Sequence, residues 1–131
     1  MADKKNIVLI VEDEVYLRQL LKEKLNGRGF YVLEADDGMI GLKTALSEHP
    51  DVILLDIIMP VMDGMTMLKE LRKDEWGKNA VVIILSNLSE PETISEGVEE
   101  SAYGYLVKSN WDPDDIVALV RGASKNRSKK I

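Results

Sequence analysis

A chain of 131 residues, 45% hydrophobic and 31% charged, has room for one folded domain with a core of its own. A formal net charge of −6 argues against a general nucleic-acid binder. With no cysteine, disulfides and thiol catalysis are excluded, and a reducing cytoplasm is the expected compartment. No apolar run approaches the roughly 20 residues of a membrane span, and the five apolar residues before Glu12 are too few for a signal peptide.

In chain order, the first apolar run, Ile7 to Val11, reads as a buried strand and ends at the acidic pair Glu12-Asp13. Leu17, Leu21 and Leu25 then share one helix face, with Gly27 and Gly29 marking its end. Phe30 to Leu33 predicts a second strand, followed by a helix carrying Ile40, Leu42, Thr44, Ala45 and Leu46. His49-Pro50 is a helix-to-strand turn. Val52 to Leu55 is a β-branched run closed by Asp56, and Met62-Asp63-Gly64 turns the chain into a helix with Met67, Leu68 and Leu71. Met59, Met62, Met65 and Met67 read as packing and loop filler. Val81 to Leu85 predicts a fourth strand ending at Ser86. A short helix follows around Ile94 and Val98, with Ser89 and Glu92 at capping-box spacing. Tyr103 to Val107 is a fifth strand, ending at Lys108. Asp112-Pro113 opens a last helix with Ile116, Val117, Leu119 and Val120. Trp76 and Trp111 are expected to cover core edges. From Arg121 to Ile131 there are five cations and no acid, which reads as a solvated tail or the start of a linker.

Strict alternation of this kind is (βα)5, an α/β doubly wound parallel sheet for which the flavodoxin-like order 2-1-3-4-5 is expected. In that order the C-terminal strand ends present Glu12-Asp13, Asp56, Ser86 and Lys108 on one edge, where open α/β sheets carry their chemistry. Three carboxylates within about 5 Å repel by roughly 3 kcal/mol per pair at an effective dielectric near 20. Such a cluster takes up protons or recruits a cation, and all-oxygen ligation suits Mg2+. A divalent cation, an ammonium and a hydroxyl donor together suit a phosphoryl group, with Asp56 as nucleophile.

On these residues the chain resembles a receiver domain of the response regulators of two-component signalling. The resemblance rests on Glu12-Asp13, on Asp56 in Leu-Leu-Asp-Ile-Ile-Met-Pro-Val-Met-Asp-Gly, on Ser86, on Tyr105 and on Lys108, and it covers about residues 5 to 124. It implies that Asp56 is the phosphoacceptor. It implies that Asp13, Asp56 and the backbone carbonyl of Ile58 bind Mg2+ directly and that Glu12 does so through water. Lys108 would contact the phosphoryl group, Ser86 would move toward it, and Tyr105 would turn inward with Ser86. The implied function is a phosphorylation-dependent switch that takes its phosphoryl group from a sensor histidine kinase or a histidine phosphotransfer protein and changes its affinity for an output partner. It would not be an enzyme acting on an outside substrate: phosphoryl transfer to Asp56 and autodephosphorylation are self-catalysed. The implied boundaries are residues 1–124 for the receiver and 125–131 for a basic tail or linker start. No membrane and no nucleic-acid contact through this domain are expected. A phosphorylation-dependent homodimer through the face made by the fourth and fifth helical segments and the fifth strand is left open.

Three departures from the family pattern stand out. Ser109 follows Lys108 where proline is usual; a trans Lys108-Ser109 peptide is expected, since a non-proline cis bond costs about 3–4 kcal/mol. Asn87 replaces a small residue after the strand-four hydroxyl, which predicts an altered phosphoryl lifetime. Ser101-Ala102 stands where Gly-Ala is common, with an effect expected only on the turn. The first two sustain an alternative, a receiver-fold interaction module not controlled by phosphate. An aspartyl-phosphate phosphatase is disfavoured by Ile58, which occupies the position of a second acid. A flavodoxin-type cofactor binder is disfavoured by the lack of a phosphate loop after the first strand.

Overall fold

The computed structural model describes residues 6–86, 95–96, 99–108 and 112–129, the last four as backbone only. The elements are β1 (Ile7–Val11), α1 (Val15–Asn26), β2 (Tyr31–Ala35), α2 (Gly38–Glu48), β3 (Val52–Asp56), α3 (Gly64–Arg72), a 3-10 turn (Gly77–Asn79), β4 (Val82–Ser86), β5 (Gly104–Val107) and α4 (Pro113–Lys129). Residues 95, 96 and 99 are helical as well. Ile94, Val98 and the Ser89/Glu92 pair lie outside the described residues, as do Asn87, Ser109 and Trp111.

All strands pair in parallel in the order β2-β1-β3-β4-β5, the expected doubly wound sheet. Alternation along the strands divides the core. Val8, Ile10, Val52, Leu54, Ile83 and Leu85 face α1 and α4, whose Leu21, Leu25, Ile116 and Val120 complete one cluster. Leu9, Val11, Ile53, Leu55, Val82 and Ile84 face α2 and α3. β3 and β4 are buried at every position, as central parallel strands covered on both faces must be.

The inward face of α2 is built from small residues. Ile40 and Leu46 are exposed, while Gly38, Gly41 and Ala45 face inward. A Cβ on Gly41 would stand 2.7 Å from Val11 Cγ1, so the small residues let this helix lie close on β1. Asp37 and Asp63 cap α2 and α3 by accepting from Ile40 N and Thr66 N at 2.9 and 2.8 Å. Asp112 accepts from Asp114 N at the start of α4, as expected for an N-cap before proline. Helix α4 runs to Lys129. Trp76 covers the edge of the α2–α3 cluster and stacks on His49 at 4.4 Å.

Candidate functional site

Parallel pairing fixes which strand ends meet. Val11 pairs with Leu55 and Asp56 with Leu85, so the chain leaves β1 for Glu12-Asp13 beside the last residue of β3. Ser86 pairs with Val107, and Lys108 N donates to Ser86 O at 2.6 Å, which brings the start of the β5 exit to the same rim. Carboxylate oxygens of Glu12, Asp13 and Asp56 lie within 4.8 Å of one another. Glu12 and Asp56 are buried and Asp13 is exposed, so the cluster opens to solvent on the Asp13 side.

Lys108 enters from β5. Its Nζ stands 2.7 Å from Glu12 Oε1 and 3.0 Å from Asp56 Oδ1. The first contact is an ion pair and not a well-angled hydrogen bond, because Glu12 Oε1 has no donor at hydrogen-bonding angle. Asp56 Oδ1 also accepts from Ile57 N at 2.8 Å, and Glu12 Oε2 from Glu14 N at 3.0 Å. One ammonium thus contacts two of the three carboxylates. Burial pushes the Glu12 carboxyl up to about 7, against the opposing pull of Lys108. Burial also raises Asp56, with Lys108 again opposing. Lys108 is itself raised: burial works against its charge, but its close contacts with the Glu12 and Asp56 carboxylates prevail. A hard, all-oxygen donor set short of positive charge fits a divalent cation such as Mg2+.

The backbone around Asp56 is shaped by Gly64. Its N–H donates to Ile57 O at 2.8 Å, and a Cβ there would stand 2.0 Å from Asp56 O. Between them, Met62 N donates to Pro60 O at 2.7 Å across Val61, whose φ of 68° makes a tight turn with a β-branched residue in the left-handed region. Ile58, two residues beyond Asp56 in this loop, turns its side chain to solvent. Tyr105 sits mid-strand opposite Ile84, half-buried against the α2–α3 cluster. Ser101 has a φ of 59°, so the serine found in place of glycine adopts the backbone that glycine favours.

The structure therefore brings Glu12, Asp13, Asp56 and Lys108 into one cluster, with Ser86 at the adjoining strand end and Tyr105 inside β5. Two further residues shape the rim. Gly64 was legible as a turn glycine, but its approach to Asp56 is not a local property. Arg18 carried only a weak signal, a cation one helical turn beyond the acidic pair. Its Nη1 donates to Glu12 O at 2.8 Å while its Nε pairs with Glu34 at 3.2 Å.

Comparison with known proteins agrees with this fold. The family profile of the response regulator receiver domain matches residues 8–121. The probable transcriptional regulator ycf27 of Guillardia theta is 35% identical over 125 residues, 95% of this chain and 48% of the relative. The chain spans half or less of the length of the first curated relatives it matches. Among solved structures, the chemotaxis protein CheY4 of Vibrio cholerae is 31% identical with a TM-score of 0.85, covering 92% of this chain and 99% of that one. CheY in the CheX-CheY-BeF3-Mg complex from Borrelia burgdorferi is 29% identical with a TM-score of 0.81, covering 89% and 87%.

Proposed function

The chain belongs to the response regulator receiver domain family, and from that premise we propose that it is a two-component switch phosphorylated on Asp56. The observation that carries this reading is the under-neutralised cluster: three carboxylates with oxygens within 4.8 Å, at the C-terminal rim of the sheet, held by one lysine from β5. Asp13, Asp56 and the backbone carbonyl of Ile58 would hold Mg2+ directly, with Glu12 reaching it through water. Bound there, Mg2+ would supply charge neutralisation for the phosphoryl oxygens. The relative crystallised with BeF3 and Mg supports that choice of metal.

In the transfer, an Asp56 carboxylate oxygen attacks phosphorus as the bond from phosphorus to the donor's imidazole nitrogen breaks; with the donor's other ring nitrogen carrying a proton, the products are an acyl phosphate and a neutral imidazole. Lys108, now shared by Glu12 and Asp56, would turn to the incoming phosphoryl oxygens. Ser86 would donate its hydroxyl to the same group, and Tyr105 would follow Ser86. That is a two-state element biased by added charge, which changes affinity for an output partner. The donor would be a sensor histidine kinase or a histidine phosphotransfer protein in the cytoplasm. Among the described residues no helix is long and apolar enough to cross a membrane. Residues 1–124 would form the receiver and 125–131 the tail or linker start.

Incubation with acetyl phosphate and Mg2+, followed by intact mass, tests the proposal. One added phosphoryl group is expected, not formed when a chelator is present from the start and absent in Asp56→Asn. Modification that survives Asp56→Asn overturns it.

A further inference from the structure

Resting on the reading of this rim as a Mg2+ site, we infer that Arg18 is a positioning residue for it, holding the peptide between Glu12 and Asp13 where a divalent cation needs the pair. Asp13 is exposed, so the placement of its carboxylate depends on the main chain beneath it. That main chain is tied at two points. Glu12 N donates to Ala35 O at 3.0 Å on β2, and Arg18 Nη1 donates to Glu12 O at 2.8 Å. The Arg18 side chain is only 14% exposed, which leaves its guanidinium little freedom.

The other end of the strut is also fixed. Arg18 Nε and Gln19 Nε2 reach Glu34 Oε1 at 3.2 and 3.0 Å, and Lys22 Nζ reaches Oε2 at 2.9 Å. Glu34 lies on β2 opposite Ile10, so its carboxylate is anchored to the sheet. The planar fork of arginine spans from this anchor to the Glu12 carbonyl. Lysine, with a single point of charge, cannot satisfy both.

Charge and position predict opposite signs. A cation beside a cation site opposes metal binding, so if Arg18 acted only through charge, removing it would tighten Mg2+. If it positions the acidic pair, removing it weakens Mg2+, as loss of outer-shell support does in metal sites, by about 10-fold or more.

The test is calorimetric titration of Mg2+ into the whole chain, with thermal midpoints measured beside it. Arg18→Gln and Arg18→Lys are expected to weaken Mg2+ by about 10-fold. Lys22→Gln removes a charge from the same carboxylate without reaching Glu12 and is expected to leave affinity within about twofold. Phosphorylation by acetyl phosphate in the Arg18 variants should need more Mg2+ yet regain the wild-type rate at saturation. Should Arg18→Gln not fold, Arg18→Lys decides. Equal or tighter Mg2+ binding in a folded Arg18 variant overturns the inference while leaving the site reading intact. Wild-type protein that binds no Mg2+ overturns both.

Discussion

Two carboxylates on neighbouring segments, Glu12 and Glu34, live under opposite electrostatic conditions. Glu34 is wrapped by Lys22, Arg18 and Gln19, and its pKa is lowered, chiefly by the hydrogen bond from Lys22. Glu12 is fully buried and shares one lysine with Asp56; burial lifts it to about 7. The first arrangement is satisfied and holds α1 to β2. The second is short of cations, and under the proposed function that deficit would give a metal and a phosphoryl group something to gain by arriving. Stability and function are thus divided between two clusters joined by Arg18.

The largest effect should come from removing the deficit itself. Asp56→Asn is expected to abolish phosphoryl incorporation, measured by intact mass, yet to stabilise the metal-free protein by on the order of 1 kcal/mol, because a buried like charge is gone. A lower unfolding midpoint in denaturant would contradict the picture of an under-neutralised site.

Next in size is Gly64→Ala. Its Cβ would press on the Asp56 carbonyl at 2.0 Å, so strand or loop must shift. A loss of about 1–3 kcal/mol is expected, as for overpacking elsewhere, with weaker Mg2+ binding alongside it. Unchanged stability and metal affinity would show that the loop yields freely.

pH separates the two carboxylates further. The folded state holds the Glu12 proton from the ordinary 4.5 up to about 7, so in that window it binds more protons than the unfolded chain. This contribution is fully present below the ordinary value and lost as pH rises through about 7. Metal-free protein should therefore lose stability across that window, and saturating Mg2+ should remove the decline. Denaturation curves at several pH values, with and without Mg2+, would read both.

The smallest effect is expected at the satisfied cluster. Because the Glu34 pKa is lowered, its stabilisation is present above the ordinary value of 4.5 and lost as pH falls through the folded one. Glu34→Gln should cost about 1 kcal/mol at pH 7 and flatten that acid limb. A cost at pH 7 larger than that of Gly64→Ala would reverse the ranking of the two clusters.

Much of this was readable before the fold. β-branched runs ending in Glu12-Asp13, Asp56, Ser86 and Lys108 carry both strand and rim, because a parallel strand buried on both faces must be apolar until it ends. α2 was less readable: its apolar residues include the exposed Ile40 and Leu46, whereas the buried residues are Gly38, Gly41 and Ala45. Side-chain hydrophobicity could not report that this helix lies too close to β1 for larger residues.

What the sequence by itself determined is the alternation of strands and helices, the polar residues at the strand ends and the acid-rich chemistry, all of which are local in the chain. Only the tertiary structure decided how that chemistry is balanced. Lys108 could be seen to reach the edge, but its division between Glu12 and Asp56 depends on the register of β4 with β5. Arg18 could be seen to follow the acidic pair, but its grip on the Glu12 carbonyl depends on Glu34, sixteen residues away on another strand. Hydrogen-bond geometry and burial are properties of segments brought together, and no pattern along one segment encodes them.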